Sequence, residues 1–207
     1  MKQFNEDFRT KLYETIEDIE NNSFIEIVVI IKAQSDKYKD IPLLAGIIFS
    51  FLLYTFFMFS PLEFGVYSIY AFTILSFFAV FGLFASVPFL HALLIKKSRK
   101  VKAVEIAARA TFQKGGIRFT NNRIGTLIYL SEFEKQIYIL PDRGAKTSVP
   151  EEEWENINEN FNAVFKSNNI ADELVVQLEK CKDIFSKYIP PVENDINELP
   201  DDLDVNL

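Results

Sequence analysis

The sequence predicts a mixed α/β protein in which a small sheet is covered by helices and a two-helix transmembrane hairpin is inserted after the first strand. Three observations predict it. Two uncharged apolar runs, residues 41–60 and 66–95, stand almost back to back. A run rich in Ile and Val, Phe24–Ala33, precedes them with no second strand on its own side. Two further β-rich runs, Thr126–Ser131 and Gln136–Leu140, follow them, joined by the turn-like EFEK.

Each element has its own signal. Phe4, Phe8, Leu12, Ile16 and Ile19 recur every three or four residues among charges, one face of a helix, and Asn21, Asn22 and Ser23 close it. Phe24–Ala33 is short and β-branched, which suits a strand buried on both faces. Beyond the apolar block, Val101, Val104, Ala108 and Phe112 mark a second helix that Gly115 and Gly116 stop, and RFTNNRIG reads as a loop. Pro150 with Glu151, Glu152 and Glu153 opens a helix with the stripe Trp154, Ile157, Phe161 and Val164. A last helix, residues 170–188, places Leu174, Leu178, Cys181 and Phe185 inward, and Pro190 with Pro191 ends it. The remainder, residues 190–207, is acidic and reads as a disordered tail.

The first apolar run is long enough to cross a hydrocarbon core about 30 Å thick. Pro61, Glu63 and Gly65 separate it from the second. A core helix pair would need more chain around it than is left, and a signal sequence would lie at the N-terminus, so the runs read as membrane spans. Lys37 and Lys39 precede the first span, and Lys96, Lys97, Arg99, Lys100 and Lys102 follow the second, whereas the connection carries only Glu63. The positive-inside rule then places the N- and C-terminal segments in the cytoplasm. His91, near the end of the second run, reads as an interfacial polar contact.

The 207 residues carry a net charge of -7, which argues against a nucleic-acid partner and leaves the basic flank to meet anionic headgroups of the lipid bilayer. One cysteine and one histidine exclude an internal disulfide and a zinc cluster. The P-loop, the G-x-S-x-G elbow and H-E-x-x-H are absent. An isolated buried strand leaves its backbone groups unpaired, so the strand before the block must pair with those after it. The predicted organisation is therefore residues 1–40 and 98–189 as two parts of one cytoplasmic domain, interrupted by the hairpin at 41–97.

IEDIENNSFIEIVVIIKAQSDKYKD, with its S-x-x-Y-x-D segment, and ARATFQKGGIRFTNNRIGTLIYLSEFEKQIYILPDRG, with F-x-x-x-G, S-x-x-E and a closing D-x-G, resemble the TPM-domain family, in particular its bacterial membrane members. The resemblance spans roughly residues 8–188 around the hairpin. Two positions depart from the family pattern: Glu134 is followed by Lys135 rather than Arg, and Arg143 separates Asp142 from Gly144. The resemblance implies a Rossmann-like sheet sandwiched by helices and an inner-membrane setting. It further implies accessory roles around membrane protein complexes, including photosystem maintenance in plants, and metal-linked phosphatase activity in some members.

Parallel first and second strands would share one carboxyl edge, the preferred ligand edge of an open α/β sheet. Ser35, Asp36 and Asp40 leave the first strand there, and Ser131, Glu132 and Glu134 lie in the turn after the second. Asp36, Ser131 and Glu134 are the candidate catalytic set, and Asp36, Glu132 and Glu134 the candidate oxygen ligands for a divalent cation, the one cofactor these residue types suggest. Solvated turn carboxylates are the plainer reading. At the opposite edge Asn121, Asn122 and Arg123 should lie beside Asp142 and Arg143, where an ion pair fixing a loop is expected before catalysis. The function expected is a membrane-anchored accessory or scaffold protein that assists assembly, maintenance or regulation of a membrane protein complex, with a membrane protein partner or self-association. The alternative is a metal-dependent phosphatase-like hydrolase at the membrane surface.

Overall fold

The computed structural model describes residues 3–192, apart from the side chains of Pro88, His91 and Asn121. The tail expected from residue 190 lies almost wholly outside them, as does the expected contact of His91. The chain divides into two compact units: one formed by the segments up to Ser35 and from Val101, the other by residues 36–100.

In the first unit, helix α1 (Glu6–Asn22) is capped by Asn5, whose side chain accepts the Phe8 N–H at 2.9 Å. Strand β1 (Glu26–Lys32) lies parallel to β2 (Gly125–Ser131), in register from Glu26 opposite Gly125 to Lys32 opposite Ser131. β2 turns back antiparallel into β3 (Gln136–Pro141), giving a three-stranded sheet with β2 in the middle. Every residue of β2 is buried, because it has a strand on each side and helices over both faces. Strand alternation sorts the side chains between two cores. Ile27, Val29, Ile31, Ile128, Leu130, Ile137 and Ile139 pack with α1, α7 (Glu151–Ala163) and α8 (Ile170–Tyr188). Ile30, Leu127 and Tyr129 pack on the other face with Val104, Ala108 and Phe112 of α5 (Lys97–Lys114). Helices therefore cover the small sheet on both sides. Val101, expected on the buried face of α5, is 38% exposed.

The second apolar run is not one helix: α3 (Val66–Ser86) ends at Val87, whose backbone is extended, and α4 (Pro88–Leu94) begins after it. A residue before proline is pushed out of the helical region, which accounts for the interruption. RFTNNRIG, expected as a loop, holds the end of a 3-10 turn, Ile117–Phe119, and a tight turn, Asn121–Arg123, and the D-x-G segment opens a short helix, α6 (Arg143–Ser148), that no periodicity announces.

The second unit holds α2 (Asp40–Phe59), α3 and α4. α2 and α3 pack side by side at Gly46, where a β-carbon would come within 2.9 Å of the Phe77 ring. An edge-to-face pair of Phe57 and Phe64, 4.8 Å apart, closes the end near the connection. At the other end Arg99 grips Asp40 with two hydrogen bonds, 2.6 and 2.7 Å, lies 3.8 Å from Asp36 and sits 5.0 Å over the Tyr38 ring. That planar fork joins the segment entering α2 to the segment leaving α4.

Candidate functional site

The parallel register brings the carboxyl ends of β1 and β2 to one edge, and the turn Glu132–Lys135 folds over it. The pairing continues past the strands, with the Glu132 N–H donating to the Lys32 carbonyl and the Phe133 N–H to that of Ala33, each at 3.0 Å. Lys135 closes the turn with φ +52°, a left-handed conformation uncommon for a side chain other than Gly, Asn or Asp. This geometry returns Glu134 over the sheet edge, where it is 3% exposed.

A buried carboxylate needs donors, and here they converge. Both oxygens of Glu134 accept the Ser35 N–H, at 3.2 Å each, and Oε2 also accepts the hydroxyl of Ser131. The Ser35 hydroxyl in turn donates to Ser131 Oγ at 2.9 Å and lies 3.5 Å from Tyr129 Oη. The result is a chain from Ser35 through Ser131 to Glu134. Burial pushes the Tyr129 phenol above its ordinary range, the Ser35 hydroxyl opposes that shift, and the charge of Glu134 adds to it. Such a chain can hold or relay a proton, and it also ties the β2–β3 turn to the exit of β1.

Two of the three expected catalytic residues, Ser131 and Glu134, therefore meet. Asp36 lies in the other unit, facing Arg99. Among the described residues no group of three or more His, Cys, Asp or Glu side chains is gathered as a metal ion requires. The hydroxyls of Ser35 and Tyr129 were not expected in a catalytic set. Only their positions at neighbouring strand ends on one sheet face could have suggested them.

Replacing Glu134 with alanine is expected to destabilise the protein by about 2–4 kcal/mol, because the Ser35 N–H and the Ser131 hydroxyl lose their buried acceptor. Glu134→Gln retains an acceptor and should cost less. Denaturant unfolding of the detergent-solubilised chain checks the order.

At the opposite edge, Asn122 and Arg123 both adopt φ +55°. Gly144 passes so close that a β-carbon there would lie 2.0 Å from the Asn122 carbonyl oxygen and 2.7 Å from that of Arg123. Asp142 does not form the expected ion pair with an arginine among the described residues. It caps α6 instead, Oδ1 accepting the Arg143 N–H at 2.7 Å, while its own N–H donates to the Gly125 carbonyl at 2.8 Å. Asn122, Arg123, Asp142 and Arg143 thus belong to a backbone-to-backbone lock between the start of β2 and the end of β3.

Cys181 lies outside both edges, 3% exposed in α8. Burial pushes its thiol up to about 12. Since an unfolded thiol ionises near pH 8.5, the unfolded chain loses this proton first, and stability should fall as pH rises from there toward 12. An aromatic disulfide reagent at pH 8 is expected to titrate no thiol in the native protein and one after denaturation.

These features define the class: a mixed α/β fold with a small three-stranded sheet and two apolar helices between its first two strands. No family model matches the chain, and no curated protein matches it. The chain is similar to a solved structure, the NMR structure of the BA42 protein from the psychrophilic bacterium Bizionia argentinensis sp. nov., at 18% identity over 96% of this chain and 92% of that one, with a TM-score of 0.59. At that identity the likeness speaks for the fold alone.

Proposed function

We propose that the chain is an integral membrane protein whose hairpin, α2 and α3, anchors a TPM-like α/β domain with a Rossmann-like sheet at the cytoplasmic surface of a bacterial inner membrane. It serves there as an accessory or scaffold for a membrane protein complex. The observation that carries the anchor is the exposure of its helices. Their most apolar 18-residue windows are 11% and 0% buried, whereas a core helix of a soluble protein would be mostly buried. Phe51, Leu52, Phe59, Tyr70, Leu75 and Phe78 all face outward, an apolar surface that only lipid or another apolar body can cover. The charge asymmetry, with lysines at one end and Glu63 alone in the connection, supports two spans with both termini inside.

Alkaline carbonate treatment of membranes should leave the protein in the pellet. Release into the supernatant would sink the anchor. The accessory role predicts that gentle detergent extraction co-purifies a defined membrane protein or a second copy of the chain.

The chain of Ser35, Ser131 and Glu134 supports a second reading, hydrolysis of a phosphoester, with Glu134 taking a proton from Ser35 through Ser131. Two features weigh against it: the carboxylate already serves as a structural acceptor, and among the described residues no three His, Cys, Asp or Glu side chains are gathered for a metal. Turnover of a generic phosphoester, abolished in a folded Glu134→Gln protein, would put this reading first.

A further inference from the structure

The basic residues at the end of the hairpin where the chain enters and leaves it fall into two groups. Arg99 is engaged by Asp40, Asp36 and Tyr38, and Lys100 Nζ donates to the Ala92 carbonyl of α4 at 2.9 Å. Both cations are committed to holding the end together. Lys37, Lys39, Lys96 and Lys97 are exposed, and no ion pair involves them among the described residues. The Arg99–Asp40 bridge draws these four together. Lys37 and Lys39 stand three and one residues before Asp40, and Lys96 and Lys97 three and two before Arg99.

We propose that Lys37, Lys39, Lys96 and Lys97 form a collar that binds the phosphate groups of anionic phospholipids where the hairpin leaves the bilayer. The inference rests on the membrane reading above and adds a choice of lipid to it. Charge and position carry it. Four exposed lysines flank, in sequence, an apolar hairpin long enough for a bilayer, two before its first helix and two after its last, and cations so placed next to a span meet headgroup phosphates. The rest of the chain works the other way: with a net charge of -7 the protein as a whole is repelled by an anionic surface, so attraction must be local. A lysine side chain suits this role, being a flexible stem with a point charge that can reach a mobile headgroup.

The test uses the full chain in a neutral detergent, offered equal amounts of phosphatidylglycerol and phosphatidylcholine, with retained lipid counted by native mass spectrometry. The expected result is about tenfold preference for phosphatidylglycerol, since each lysine near an anionic surface contributes roughly a fivefold factor that partial engagement reduces. It should fall toward unity when Lys37, Lys39, Lys96 and Lys97 are all replaced by glutamine. In the unaltered protein it should also fall as sodium chloride is raised to 0.5 M, an arm that does not depend on the variant folding. Equal retention of both lipids by the unaltered protein, or a preference untouched by both salt and substitution, overturns the collar. Displacement of the lipid by millimolar inorganic phosphate overturns it as well, because the site would then serve a free anion. Carbonate treatment separates the two claims. Protein that stays in the pellet without lipid preference loses only the collar, whereas protein released into solution loses the membrane reading itself.

Discussion

A chain lacking residues 1–35 is expected to lose cooperative unfolding, even though the hairpin and everything after it are intact. The truncation removes α1 and β1, and with them Phe8, Leu12, Ile16, Ile19, Ile27, Val29, Ile30 and Ile31, all buried. At about 1.5–3 kcal/mol for each buried side chain, the gross loss is roughly 12–24 kcal/mol, which exceeds the net stability of about 5–15 kcal/mol typical of a domain. It also leaves one edge of β2 without its hydrogen-bonding partner, a strand otherwise buried along its whole length. Thermal unfolding followed by circular dichroism, with limited proteolysis of the post-hairpin segment, would show the loss. A truncated chain that melts as sharply as the intact one would mean that the segments flanking the hairpin do not depend on each other.

The second large effect is expected from one carbon atom. Gly144→Ala places a methyl group 2.0 Å from the Asn122 carbonyl oxygen and 2.7 Å from that of Arg123, and both obstacles are backbone. No side chain can swing away to make room. The turn is already held with Asn122 and Arg123 in the left-handed region, so it has little freedom to yield. The cost should be about 3 kcal/mol or more, at the far end of what single substitutions do. Gly82→Ala is the control, since nothing lies within 4 Å of a β-carbon there, and it should leave the melting temperature within a degree or two. Equal melting temperatures for the two variants would show that the close approach at Gly144 is relaxed at no cost.

The elements that were legible in the sequence are those whose signal is periodic and local. The stripe of α1, the stripe of α8 and the apolar run of α2 correspond to buried or outward faces in the structure. Pairing of β1 with β2 was reachable by a different route, because a buried strand without a partner is forbidden by its own backbone. α6 was not legible. Six residues with one buried side chain, Ala145, give no period to read, and the helix exists because Asp142 caps it and Gly144 lets it approach the preceding turn.

The candidate site divides along the same line. Ser131 and Glu134 were reachable because S-x-x-E in a tight turn brings the glutamate back to the serine of the strand end. Ser35 was placed at the same edge, but its direct bond to Ser131 depends on the exact register of Lys32 opposite Ser131, which no local pattern encodes. Asp36, one residue further, turns to Arg99 across 63 positions of sequence, a pairing set by how the hairpin closes rather than by any motif.

The central proposal is that α2 and α3 form a membrane hairpin whose two flanking segments share the cytoplasmic side. Labelling of intact cells with a membrane-impermeant maleimide tests it most directly, because the buried native Cys181 should contribute no background. Single cysteines would be introduced as Glu63→Cys in the connection and as Glu14→Cys and Glu179→Cys on the two sides of the hairpin. The account predicts that Glu63→Cys is labelled from outside, and that Glu14→Cys and Glu179→Cys are labelled only after the membrane is permeabilised. Labelling of either domain position in intact cells, with Glu63→Cys protected, would contradict it.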